Sequence, residues 1–246
     1  MAKQSGLGDN LYVAGYNLSG DIGSVDTIGG GNEPLDATGI DKSAKERLGG
    51  LRDGQIEFTA YFNPATDRAH PVLSALPTTD VLVSYWRGTT AGGPVANCLA
   101  KQIDYSGTRG TDGSYTFEVS MQANGFGLDW GVGLTDGVRT DTTATSPATG
   151  VDLTTVSTAF GWQAYLHVFA FTGTSVTVTL QDSADNSSFA NITGGAFTAA
   201  TGVTSQRLEG GRTATVRRYV RAITTGTFSN AAFAVSFVRN ATSVAF

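Results

Sequence analysis

The sequence is poor in the residues that build metal sites and covalent crosslinks, with one cysteine, Cys98, and two histidines, His70 and His167, among 246 residues. A single thiol cannot form an intrachain disulfide, and so few thiolate and imidazole ligands exclude the common zinc clusters. Charge is scarce as well. Charged residues make up 15% of the chain and sum to −5, so its overall field does not supply the phosphate contacts that dominate nucleic-acid affinity. No apolar run approaches the ~20 residues needed to cross a bilayer, and no membrane insertion of this chain is expected. The opening MAKQSGLGDN carries one lysine and no apolar core. No secretory signal is therefore expected, and folding in a cytoplasm is. Asn17, Asn186, Asn191 and Asn240 begin glycosylation sequons, which without export read as surface turns.

Catalytic patterns are missing too. There is no Gly-x-Ser-x-Gly elbow, no P-loop and no paired-carboxylate signature. Gly29 to Gly31 precede no Lys-Ser/Thr, so the glycine run reads as a flexible loop rather than a phosphate cradle. His167 lies mid-strand, where a satisfied core or interface histidine is commoner than a catalytic one, and His70 precedes Pro71 in a connection. Asp112 and Glu118 stand far apart along a hairpin. The expectation is a protein that is not an enzyme, with no metal and no cofactor.

What the sequence does hold is 32 glycines, with many threonines, serines and valines, a composition of short strands and tight turns. The length allows one large β domain or two smaller ones. The cleanest alternation lies in 95–124. Tyr115, Phe117, Val119 and Met121 alternate with Thr116, Glu118, Ser120 and Gln122, giving one apolar and one polar face. A turn rich in Gly, Ser and Asp at 106–113 joins this strand to a first arm carrying Leu99, Ile103 and Tyr105. Such a hairpin must lay its apolar face on other strands.

Elsewhere the pattern predicts a helix over 35–51, with Ile40, Ala44 and Leu48 on one face and Gly49-Gly50 as its stop. Strands are expected at 55–62 and 81–86, and a helical turn at 69–76. The stretch 135–150 has almost no large apolar residue and reads as an exposed linker. We therefore place a first domain at 1–140, a linker at 141–150 and a second domain at 151–246. In the second, short strands at 162–171, 175–181, 215–223 and 231–238 predict an antiparallel sandwich or jelly roll. Asp182, Asp185 and Asn186 carry oxygens suited to calcium, but the same residues make hairpin turns, and the turn is the commoner use. Arg217, Arg218 and Arg221 lie in an expected strand, Arg217 and Arg221 on one face, as candidates for contact with a neighbouring subunit's carboxylates. Trp162 is expected in the core rather than stacked on a glycan.

The first part resembles the major tail (tail-tube) proteins of long-tailed bacteriophages, through TGIDKSAKERLGGLRDGQIEFTAYFNP (38–64), VLVSYWRG (81–88) and SYTFEVSMQANG (114–125). The second part is similar to a β-sandwich module appended to such proteins in phages of actinobacteria. The resemblance implies an all-β chain: a tail-tube β-sandwich or barrel with one short helix and a long hairpin, followed by a jelly-roll-like β-sandwich on the tube exterior. It also implies a structural virion protein, assembled in the bacterial host cytoplasm into stacked homo-hexameric rings, with DNA passing through the lumen unbound. Its partners would be further copies, the tape-measure protein and other tail proteins. Thr116, Glu118, Ser120 and Gln122 would then face the lumen, and Tyr115, Phe117, Val119 and Met121 would pack on the subunit. A diverged tube fold in the second half, giving a trimer, is a variant of this reading. A non-catalytic carbohydrate- or surface-binding module is the alternative.

Overall fold

The computed structural model describes residues 5–243, so the outermost residues of the two expected domains lie outside the described residues. The chain is all-β. Its strands are β1 (Asn10–Val13), β2 (Tyr16–Asn17), β3 (Ile22–Asp36), β4 (Arg47–Tyr61), β5 (Val81–Trp86), β6 (Pro94–Arg109), β7 (Tyr115–Ala123) and β8 (Asp129–Gly133) in the first part. There follow β9 (Arg139–Asp141), β10 (Val151–Asp152), β11 (Trp162–Ser183), β12 (Ala190–Ala196), β13 (Thr204–Glu209) and β14 (Tyr219–Arg239). A five-residue helix, α1 (Ala69–Leu73), falls in the stretch expected to form a helical turn.

The helix expected over 35–51 is absent. Those residues end β3, form a loop and begin β4, with Leu35 paired to Leu48 and Pro34 to Gly49. The cause is that a helix there would have nothing to bury its stripe against: Ile40 and Leu48 are exposed. The loop closes on polar bonds instead, from Thr38 N–H to Asp36 Oδ1 at 3.0 Å and from Glu46 N–H to Thr38 Oγ1 at 2.9 Å. The expected flexible loop at Gly29 to Gly31 is likewise strand, paired with Gln55, Gly54 and Asp53. Here glycine serves close approach. A Cβ on Gly54 would lie 2.5 Å from the Leu128 backbone nitrogen, and one on Gly30 would lie 2.9 Å from Leu128 Cβ, so the β7–β8 connection rests directly on backbone.

The strands expected at 162–171 and 175–181 are one, β11, and those at 215–223 and 231–238 merge into β14. Their exposed middles, rich in threonine and glycine, read as turns in sequence but pair with each other through bulges around Gly173. The stretch 139–150 is mostly exposed. β9 pairs with β14, and Thr145 exchanges backbone hydrogen bonds with Thr224 at 2.9 and 3.2 Å, so the segment lies along β14 rather than hanging free.

Two large apolar clusters correspond to the two halves. One joins Ile56, Phe58, Val119 and Met121 to Leu73 of α1, and the other gathers Trp162, Leu166, Val178, Phe233 and Phe237. Trp162 is wholly buried in the second. Smaller clusters bridge the halves: Tyr12, Trp86 and Val95 meet Ala234, and Leu82 meets Tyr165 and Val238. The first seven residues of β11 are buried on both faces. Trp162, Ala164, Leu166 and Val168 enter the second core, while Tyr165 and His167 turn toward the first half.

His167 is the polar pin of that junction. Its Nδ1 accepts the Gly15 N–H at 3.2 Å, which leaves the proton on Nε2, 2.9 Å from Ser84 Oγ. Ser84 and Ser236 hydroxyls both donate to Asn97 Oδ1, at 2.8 and 2.7 Å. Burial pushes the His167 pKa down to about 3.

Two outcomes follow from this junction. A chain ending at residue 150 re-exposes Tyr12, Trp86, Leu82 and Val95, at about 1.5–3 kcal/mol for each large side chain, a loss comparable with a domain's whole stability. It should show no cooperative thermal transition, and a dispersed NMR spectrum from that fragment would refute the dependence. The second concerns acid. An unfolded imidazole titrates near 6.5 and the folded one near 3, so the unfolded state binds the extra proton between them. The stability is present in full above about pH 6.5 and falls by about 1.4 kcal/mol per pH unit toward pH 3. Denaturant midpoints of His167→Gln should fall less steeply between pH 6 and 4 than those of the parent.

Candidate assembly face

β7 lies between β4 and β6, and β4 between β3 and β7, so β3, β4, β7 and β6 form a four-stranded antiparallel unit. Register decides which residues share a face. Thr59 stands opposite Glu118, Glu57 opposite Ser120 and Gln55 opposite Gln122, while on the other side Ser106 meets Glu118 and Asp104 meets Ser120. One face is thus polar across these rows, with the exposed Tyr61 opposite Thr116 at its outer end. Glu118 and Gln122 are exposed, and Thr116 and Ser120 are half-buried. Ser120 Oγ donates to Glu57 Oε1 at 3.3 Å, and Thr59 Oγ1 donates to Asp26 Oδ2 at 3.1 Å.

The central part of this face is a groove of about 350 Å³ lined by Asp26, Glu57, Asp104, Glu118 and Ser120. It is strongly acidic. The cation closest along the register is Lys101, opposite Gln122, and its Nζ is taken by Asp80 at 2.8 Å. Among the described residues no group of three or more His, Cys, Asp or Glu side chains could hold a metal ion. Such a face repels a polyanion, because it offers no phosphate contact and releases no counterion.

The opposite face is sealed. Phe117, Val119 and Met121 are 6%, 2% and 0% exposed, whereas Tyr115, at the outer end, is 41% exposed. Tyr105 and Phe117 stack with centroids 4.2 Å apart, and Phe62, His70 and Tyr115 surround them. His70 belongs to α1, and its Nδ1 lies 2.9 Å from the Tyr105 hydroxyl. Burial pushes the Tyr105 phenol up to about 12. At the tip of the hairpin, Asp112 Oδ1 accepts from the Ser114 hydroxyl and N–H, which hold its carboxyl below the usual range.

The edges of the unit are open. Among the described residues β3 pairs with β4 alone, and beyond Ala100 β6 has a strand on one side only, β7. Unpaired backbone edges of this length are templates for another strand.

The remaining sequence candidates have intrachain partners. Arg217 and Arg218 precede β14 rather than lie in it. Arg217 forks onto Asp182, with Nε to Oδ1 at 2.8 Å, and Arg218 pairs with Asp152 at 2.7 Å. Arg221 donates to Gln181 Oε1 at 2.6 Å and lies over the Phe189 ring at 3.9 Å. All three arginines thus have partners within the subunit, and the Arg218 side chain remains 41% exposed. Asp185 accepts from Ser183 Oγ and the N–H groups of Ser187 and Ser188, bonds that lower its pKa, and Asn186 sits at φ 58°. That is a side-chain-capped turn. Asp26, Glu57 and Asp104 were not singled out from sequence. Glu57 alternates visibly within β4, but Asp26 lies in the misread glycine region and Asp104 beside a bulge.

The two faces predict opposite responses. Phe117→Asp buries a carboxylate among rings and should cost about 3–5 kcal/mol, whereas Glu118→Lys with Gln122→Lys should change stability by less than about 1 kcal/mol. Chemical denaturation measures both, and equal losses would refute the face assignment.

No family model matches the chain, and no curated protein matches it. Among solved structures it is similar to a chain in the tail of an empty gene transfer agent particle (16% identity, 45% of this chain and 81% of that one, TM-score 0.37). A chain in the virion of a native gene transfer agent gives 17% identity over 52% of this chain and 98% of that one, with a TM-score of 0.39. The Dit protein of phage SPP1 gives 11% identity over 94% and 99%, with a TM-score of 0.34.

Proposed function

We propose that this chain is a structural virion protein that closes into hexameric rings and stacks into the tube of a phage tail. The observation that carries the reading is the β3–β4–β7–β6 unit, which is sealed on one face, acidic on the other and open at both edges. Joining β3 of one copy to the outer half of β6 in the next satisfies both edges and makes a closed barrel. Its lining would be Thr116, Glu118, Ser120 and Gln122 with Asp26, Glu57 and Asp104, a wall along which DNA slides without binding. The likeness of 81–88 and 114–125 to tail-tube proteins supports the same conclusion. The second half, centred on β11 and β14, lies on the outside of the ring in this reading. The further partners of the chain are the tape-measure protein and other tail proteins.

Negative-stain images of the purified chain over a range of concentrations test it. Rings or tubes are expected, and monomers persisting throughout, with retention on a glycan array, would replace it with the surface-binding module. Lumen polarity is checked separately. Tubes carrying Glu118→Lys and Gln122→Lys should form and retain double-stranded DNA at low salt, releasing it steeply as salt rises, while parent tubes retain none. Equal retention by both would remove those residues from the wall.

A further inference from the structure

The connection from β7 to β8 opens with Asn124-Gly125, the one Asn-Gly pair in the chain. Asparagine is a chemically labile residue. Its side-chain carbonyl can be attacked by the next backbone nitrogen, and glycine, lacking Cβ, obstructs that approach least. Asn124 and Gly125 are both exposed. Gly125 stands at φ 76°, and a Cβ placed on it would meet no atom within 4 Å. Among the described residues its N–H has no hydrogen-bond partner, so the nitrogen lies outside every strand ladder. Asn186-Ser187 is the informative contrast. Asn186 is also in a turn, at φ 58°, but its Oδ1 accepts the Gly150 N–H at 2.8 Å, and the Ser187 N–H is held by Asp185 Oδ1 at 2.9 Å. The Asn124 side chain has a single anchor. Its Nδ2 donates to Asp80 Oδ1 at 2.9 Å, and the same oxygen takes Lys101 Nζ at 2.8 Å.

We propose that Asn124 is a self-modification site, converted slowly to aspartate and isoaspartate, with Asp80 as the brake on the reaction. The Gly125 nitrogen attacks Asn124 Cγ. The N–Cγ bond forms and the Cγ–Nδ2 bond breaks, and the departing amide takes up the Gly125 proton and leaves as ammonia. A cyclic imide remains, and water opens it at either of its two C–N bonds, giving aspartate or isoaspartate. Asp80 opposes the attack, because the carboxamide must first give up a charge-assisted hydrogen bond to turn toward Gly125. Either product sets a second carboxylate beside Asp80, where an amide had donated. Isoaspartate also adds a carbon atom to the main chain of a connection whose Leu128 presses on Gly30 and Gly54.

Incubation of the full chain at mildly alkaline pH, followed by tryptic peptide mapping, tests the site. The peptide 110–139 should gain the mass of an amide-to-acid change at Asn124 and separate into two chromatographic forms, while Asn186 stays intact. Asp80→Ala should speed the conversion about tenfold, the worth of one hydrogen bond to a charged group. Asn124→Gln, which would have to close a larger ring, should leave the peptide unchanged. The chain unfolded in guanidinium gives the rate of the bare sequence. An Asn124 still intact in the folded parent once the unfolded chain has converted overturns the proposal, as does equal conversion at Asn186. An unchanged rate in Asp80→Ala overturns the role given to Asp80.

Discussion

The structure depends on one strand being buried on both of its faces. From Trp162 to Val168, β11 has no solvent side, so alternate residues must satisfy two different environments. The apolar set builds the second core. The other set carries a tyrosine and a histidine, each of which needs a partner from the first half: Asp129 for the Tyr165 hydroxyl, and Gly15 with Ser84 for His167. A buried polar group without its acceptor costs more than the bond itself is worth. These contacts therefore fix how the halves dock more strictly than apolar burial alone, which tolerates small slips.

That docking explains why the acidic face can exist. A sheet with a continuous polar face is stable only if its reverse is well sealed, and the reverse of β7 is closed by α1 and by strands that are themselves held by β11 and β14. Local structure adds to this. The stacked Tyr105 and Phe117 rings lock the outer part of the hairpin, so its polar side chains project from a rigid base rather than a loose ribbon.

Much of this was legible in the chain. The period of two in 115–122 predicted the hairpin and the alternation of its side chains, and the strand expected at 175–181 is present, with Val176, Val178 and Leu180 buried. What failed did so for identifiable reasons. Ile40, Ala44 and Leu48 share helical spacing, but spacing reports a helix only where a second surface waits for the stripe. Gly29 to Gly31 read as flexibility because sequence does not show Leu128 arriving on top of them. The threonine and glycine middles of β11 and β14 read as turns because turns and exposed strand share composition. Distinguishing them requires knowing that the two segments face each other. The arginines at 217, 218 and 221 were visible as a cluster, but their partners within the chain, Asp182, Asp152 and Gln181, lie far away in sequence, a separation that no local pattern encodes.

The pairing of β11 with β14 along nearly the whole of both strands has a mechanical consequence. At about 3.3 Å per residue, a strand of 22 residues extends roughly 70 Å, and its ladder to β14 continues through the exposed waist at Gly173 and Gly226. A force along the strand axis loads all of these hydrogen bonds together in shear, whereas a force across it peels them one at a time. The subunit is therefore stiffest along the direction in which β11 runs, and the bulges at the waist are where it would bend.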